Sequence, residues 1–289
     1  MAQQDPDVFV RLERFYDALP RSDAQAEEFG GLVLFVRQVP GWPYYARPRR
    51  GSDTPSAADV MAVRQRQRDL GLPEAFEWVH ENTPDLLAVA RSAGLQVLLA
   101  PLMVLEPAAL VPDLPVAGAK IRLLDPNAPG FAADLAASRA VAQLGFGAPT
   151  ATATPVTDGS LITEPAGPAE RGAVPEPSAE LLEAARERTL AGRIVTAVVD
   201  SPTEGILASG VLQRVGDVGE IAGVATLPSA RGRGYASQLT ASLARNALND
   251  GVHLVFLSAG DDDVARLYSR VGFRRIGTAC IAEPAPAPL

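Results

Sequence analysis

The stretch VATLPSARGRGYAS (224–237) constrains this chain more than any other. An apolar, β-branched run meets a proline, arginines alternate with glycines, and the start of a helix follows. Beyond the turn Tyr235, Leu239, Leu243 and Ala247 recur every four residues, which predicts one apolar helix face running to about Asn249. A strand, a glycine turn and a helix in this order leave the first N–H groups of the helix unpaired. Such a terminus attracts phosphate through those donors and through the positive end of the helix dipole. Gly232 and Gly234 clear side chains from the approach, while Arg231 and Arg233 can offer charge-assisted bonds to anionic oxygens. The turn therefore suits a pyrophosphate.

Three kinds of phosphate loop compete for this pattern. A GxxxxGK[ST] loop needs a lysine, and Lys120, far upstream, is the only lysine of the chain. A dinucleotide fingerprint needs a third glycine where Ser237 stands, and its strand would run directly into glycine instead of through LPSAR. The third reading rests on a resemblance. VATLPSARGRGYAS is similar to the acyl-CoA pyrophosphate loop of the GNAT acetyltransferase superfamily, through Arg231, Gly232, Arg233, Gly234, Tyr235 and Ala236. Further on, VFLSAGDDDVARLYSRVGFRRIG resembles the later motif of that superfamily, a strand, an acidic or Asn cap and then A..LY...GF. The matched segments span about 220–279.

The resemblance implies an α/β fold with a mixed sheet and acetyl-CoA as co-substrate. By position it implies that Val224, Ala225 and Thr226 pair their backbone with the pantetheine arm, and that Gly232 to Ser237 hold the pyrophosphate. Tyr268 stands where many relatives keep a tyrosine near the CoA sulfur to protonate the departing thiolate; its structural alternative is packing of a helix against the sheet. Glu220 matches the glutamate that the histone-type branch uses as a base. Alternation along a regular strand puts Glu220, Ala222, Val224 and Thr226 on one face, so Glu220 could look toward the acyl group. A carboxylate in an apolar cleft is raised toward neutrality, which suits a base. A solvated glutamate after the GDVG turn is the competing reading. Many relatives carry Asn at the position of Asp261, where helix capping accounts for the acid.

At 289 residues the chain is longer than one typical domain, so two domains are expected. Proline and small residues cluster at LVPDLPVAGA (110–119), which places a boundary near 118, with one domain at 1–118 and a second at 119–289. DLLAVARSAGLQVLLAPLMVLEP (85–107) can be laid against DDVARLYSRVGFRRIGTACIAEP (262–284); with Gly94 on Gly272, Ala90 falls opposite Tyr268. We therefore expect two tandem GNAT-like domains, the first degenerate, since it has no copy of RGRGYAS.

Local patterns predict strands at 32–38, 44–48, AFEWVH, two strands broken by a proline within LQVLLAPLMVLEP, and IRLLD. Helices are expected at 55–70, capped by Thr54 or Asp53, at TPDLLAVARSAG, from Phe131 to about Leu144, and at 178–192. Strands RIVTAVVD, EGILASGVLQRV and EIAGVATL then lead into the turn, and VHLVFLSAG, DDDVARLYSRVG and FRRIGTACIAE give strand, helix and strand. The segment 148–177 is rich in Pro, Thr, Gly and Ala, and reads as a functional or disordered loop.

A net charge of −8 works against diffuse attraction to nucleic acid and mildly favours cationic acceptors. The lone Cys280 can form no intrachain disulfide and reads as a small buried strand residue. The N-terminus lacks the basic and apolar regions of a signal peptide and no apolar run approaches ~20 residues, so a cytoplasmic location without membrane contact is expected. Asp261 to Asp263 have no histidine nearby and read as a helix cap, so no metal is expected. His80 and His253 read as strand packing, and the aromatic PGWPYYARP (40–48) as packing or a pocket wall. The expected activity is acetyl transfer from acetyl-CoA to a primary amine of a small molecule, by a monomer or homodimer. An acyl-CoA-binding sensor or scaffold without turnover is the alternative.

Overall fold

The computed structural model describes residues 6–147 and 165–285. Its elements run α1 (Pro6–Arg21), β1 (Ala24–Phe29), β2 (Leu32–Arg37), β3 (Arg47–Pro48), α2 (Ala57–Asp69), β4 (Phe76–Val79), α3 (Leu86–Ser92) and β5 (Leu95–Leu105). They continue with β6 (Lys120–Leu123), α4 (Phe131–Gly147), α5 (Pro168–Ala173), α6 (Ala179–Leu190), β7 (Ile194–Ser201), β8 (Gly205–Val215) and β9 (Val218–Thr226). The chain closes with α7 (Tyr235–Asn249), β10 (Leu254–Ser258), α8 (Asp262–Val271) and β11 (Phe273–Pro284). The order β1-β2-β3-α2-β4-α3-β5 thus repeats as β7-β8-β9-α7-β10-α8-β11.

Two compact units interleave in sequence. One comprises 1–104, 256–269 and 274–289, the other 105–255 and 270–273. Residues 256–269 and 274–289, which local order attaches to the second domain, therefore group with the first unit. In that unit β1, β2 and β3 form a small antiparallel sheet, and β4, β11, β5 and β10 are neighbours in that order. The core gathers Leu32, Leu34, Val60, Val63, Phe76, Trp78, Leu86 and Leu95 around Cys280. Cys280 is fully buried on β11, and burial pushes its thiol up to about 12. That chemistry suits a packing residue and not a nucleophile.

Several local expectations are revised. Helix α1 had no counterpart in the sequence reading, although Leu12, Phe15 and Tyr16 are spaced as one helical face and are buried. The expected strand at 44–48 shrinks to Arg47–Pro48, and Trp42 nearby is 65% exposed. α2 is capped by Ser56, and neither Thr54 nor Asp53 takes that place. β5 is one strand that carries Pro101 inside it, where two were expected. The Pro101 carbonyl still accepts the Ala259 N–H, so the ring costs the ladder only a donor. Of the 148–177 segment, 148–164 lies outside the described residues, and 165–177 contains α5. His253 precedes β10 and is exposed, so it does not pack in a strand, whereas His80 donates its backbone N–H to Thr278 next to β4.

In the second unit β6, β7, β8 and β9 form an antiparallel array. α4 covers one face: Ser209 Oγ donates to the Ser138 carbonyl at 3.0 Å. α7 covers the other through Leu239 and Leu243, both fully buried, with burial contributing roughly 1.5–3 kcal/mol for each. Gly210 makes that contact possible, since a Cβ there would stand 3.1 Å from Val224 and 3.3 Å from Leu239.

Candidate functional site: the turn between β9 and α7

Strand β9 contains a bulge that breaks the regular alternation expected along it. Ala222 faces Val211 and Ala225 faces Ser209, so Gly223 and Val224 together oppose Gly210. Gly223 adopts φ +61, a left-handed conformation that glycine takes at little cost. The extra residue reverses the alternation. Glu220 and Ala222 share a face with Ala225, toward α4, whereas Val224 and Thr226 lie on the opposite face, toward α7. The expected common face of Glu220, Ala222, Val224 and Thr226 is therefore incorrect. Glu220 is 9% exposed on β9, opposite Gln213.

After Thr226 the chain makes a short 3-10 turn at Pro228–Ala230 and enters the glycine pair. Gly232 and Gly234 have φ of +77 and +78, and a Cβ on either would meet open space. Both glycines are thus required by backbone conformation and not by crowding. Gly234 is the N-cap of α7 and supplies no side-chain cap, and the first-turn N–H groups of Tyr235, Ala236 and Ser237 have no acceptor within the helix itself. Gly232, Arg233 and Gly234 are exposed, and Ala236 and Ser237 half-buried. The turn thus presents exposed backbone at the start of a helix, with a cationic side chain beside it. Tyr235 is buried and belongs to the support beneath it: its hydroxyl donates to the Ala117 carbonyl at 3.2 Å.

The arginines have different duties. Arg231 donates to the Gly145 carbonyl at 2.7 Å and ties the turn to the end of α4. Arg233 projects outward, with Nη1 3.3 Å from Glu204 Oε2. Contacts with the Tyr235 hydroxyl and with Glu204 raise its already high pKa, so it stays cationic. Around the turn, the Ser229 N–H donates to the Ala166 carbonyl at 3.1 Å, and Arg171 of α5 donates to the carbonyls of Glu204 and Ile206. Arg171 and Glu204 carried no sequence signal, being single charges in segments without motif; Gly223 carried one, a glycine isolated within a strand pattern.

Tyr268 is on α8 in the other compact unit and is 8% exposed. Asp261 accepts the Val264 N–H at 2.8 Å and caps α8, as its residue type suggested. Asp262 and Asp263 pair with Arg275 and Arg266. Among the described residues there is no group of three His, Cys, Asp or Glu placed to hold a metal ion, and no helix is long and apolar enough to cross a membrane.

Residues 198–282, which include the β9–α7 turn and α8, match the family described as FR47-like protein. No curated protein sequence matches the chain significantly. Among solved structures, a GCN5-related N-acetyltransferase from Kribbella flavida is 22% identical, with 96% of each chain covered and a TM-score of 0.67. A GCN5-related N-acetyltransferase-like protein from Streptococcus suis 89/1591 is 13% identical, over 96% of this chain and 98% of that one, with a TM-score of 0.53. A putative acetyltransferase of the GNAT family from Novosphingobium aromaticivorans is 19% identical over 92% and 94%, with a TM-score of 0.50. With an FR47-like segment at 198–282, the chain has the fold of the GCN5-related N-acetyltransferase (GNAT) superfamily.

Proposed function

We propose that the protein is an N-acyltransferase that moves an acetyl group from acetyl-CoA to a primary amine by direct attack, with 119–289 as the catalytic part of a tandem arrangement and 1–118 as its degenerate copy. The observation that carries this reading is the uncapped start of α7, where two left-handed glycines expose backbone donors beside a cationic side chain. Gly232 to Ser237 take the pyrophosphate, Arg233 supplies charge at the rim, and Arg231 and Tyr235 hold the turn in shape. Val224, Ala225 and Thr226 pair their backbone with the pantetheine arm. The bulge at Gly223 turns one peptide group out of the β8 ladder, and its N–H can polarise the thioester carbonyl.

The amine nitrogen must be neutral to attack the thioester carbon. Glu220, or a water it orders, takes the proton lost by nitrogen. As the carbon–sulfur bond breaks, the electron pair stays on sulfur and Tyr268 protonates the thiolate. Holding both reactants together in an attack geometry lowers the barrier further. The repeated element order supports the tandem reading, and an acidic protein of charge −8 fits a cationic, small-molecule acceptor in the cytoplasm.

Calorimetric titration with CoA, followed by thiol release from acetyl-CoA with a panel of amines, tests the proposal. Micromolar binding with amine-dependent release is expected. Absence of CoA binding would falsify it, and binding without turnover on any amine would favour the non-catalytic sensor or scaffold.

A further inference from the structure

We propose that Glu204 tunes the affinity of the donor cradle, competing with the CoA pyrophosphate for Arg233 and so holding donor binding below the strength the turn would otherwise give. This rests on the donor reading above. The hairpin that carries Glu204 is built to aim it. The Glu204 N–H is held by Ser201 Oγ at 3.4 Å, and its carbonyl accepts Arg171 Nη1 at 2.9 Å. Gly205 turns the hairpin at φ +70, where a Cβ would stand 3.1 Å from the Arg171 guanidinium. Backbone fixation leaves the carboxylate to reach Arg233, whose second nitrogen, Nη2, is 3.4 Å from the Ser229 carbonyl.

Arg233 is the charged group at the mouth of the cradle, and in this arrangement it is already engaged. The pair is open to water, with 42% of the arginine and 39% of the glutamate side chain exposed, so it is displaceable. An exposed pair of this kind shifts an equilibrium by no more than about fivefold. A pyrophosphate offers one phosphate to the N–H groups of α7 and the other to Arg233, so the arginine exchanges one anion for another. Glu204, displaced from the arginine, is left facing the bound phosphate with a like charge. Glu204 thereby lowers the affinity of the turn for the pyrophosphate.

The test is Glu204→Gln, which keeps the shape and removes the charge, titrated with CoA beside the wild type at about 20 mM and about 1 M NaCl. We expect the variant to bind CoA more tightly at low salt, by about two- to fivefold. The two should converge at high salt, where the Debye length falls to about 3 Å and exposed charges no longer sense one another. A purely structural role for Glu204 would give weaker binding with no such convergence. If the wild type binds CoA and the variant binds equally or less tightly at low salt, the role of Glu204 is overturned and the donor reading stands. If neither binds CoA, both fall.

Discussion

The starts of α2 and α7 occupy the same place in the repeated element order, and they are chemically opposite. At α2 the chain satisfies itself: Ser56 Oγ accepts the Asp59 N–H at 3.2 Å, while the Asp59 carboxylate accepts the N–H of Ser56 at 2.8 Å and of Gly31 at 3.3 Å. A carboxylate of the protein thus sits where an external anion would bind. At α7 the N-cap is Gly234, no side chain closes the helix, and Gly232 and Gly234 hold the backbone open. The same supersecondary frame is closed by a capping box in one copy and left receptive in the other. The contrast extends along the repeat, since Ala90 on α3 stands four residues before Gly94 and Tyr268 on α8 four before Gly272.

The largest effect should come from closing the receptive copy. Replacing Gly232 and Gly234 together by valine forces β-branched residues into φ of +77 and +78, at roughly 1–2 kcal/mol each, while the open space around both leaves the core untouched. CoA binding by calorimetry should fall at least a hundredfold in a protein that still melts cooperatively; retained micromolar binding would sink the pyrophosphate assignment. Next, Tyr268→Phe should lower turnover about tenfold or more and leave the CoA dissociation constant nearly unchanged. Unchanged turnover would reduce Tyr268 to a packing residue, and the contrast with Ala90 would then be one of size alone.

Opening the closed copy should have the smallest effect. Asp59→Ala removes one half of the capping box and should lower stability by about 1 kcal/mol in denaturant unfolding. It should not create CoA binding, because the capping Ser56 remains; a second CoA site in this variant would show that capping alone separates the copies. The bond from the Ser56 N–H, and after it that from Gly31, holds the Asp59 carboxyl below its ordinary value against the effect of burial. A carboxyl depressed in the folded state stabilises above its unfolded pKa, roughly 4, and that contribution disappears as pH falls through the folded value. Wild-type stability should therefore decline below about pH 4 by more than that of Asp59→Ala.

Much of the fold was legible locally. The four-residue recurrence of Tyr235, Leu239, Leu243 and Ala247 gave α7 its boundaries because a helix repeats its buried face with that spacing. The α8–β11 segment follows from a capping acid, Asp261, an amphipathic helix and a glycine stop; at α3 the glycine stop holds, but the N-cap is Asp85 without a side-chain cap bond, and Thr83 does not cap the helix. Conversely, the common face assigned to Glu220 and Val224 assumed regular alternation, and a bulge is a property of two paired strands. Gly223 hinted at it, but only the pairing with β8 shows which residue is extra. Capping behaved similarly: Thr54, Asp53 and Ser56 are all competent caps, and the choice fell to Ser56 because Asp59 also reaches the N–H of Gly31 across the turn between β1 and β2.

By itself the sequence determined the receptive turn, since glycines at 232 and 234 with an arginine on either side of Gly232 leave a helix start with donors and no cap. That information is local, and a short stretch of backbone expresses it wherever it folds. Tertiary structure decided what surrounds the turn: Arg231 tied to α4, Glu204 placed against Arg233 by a hairpin that Arg171 holds, and 256–269 grouped with the first compact unit instead of the second. Those arrangements depend on pairings between residues far apart in the chain, and alternation and helical period in a linear pattern carry no information about which distant strand or side chain will be the partner.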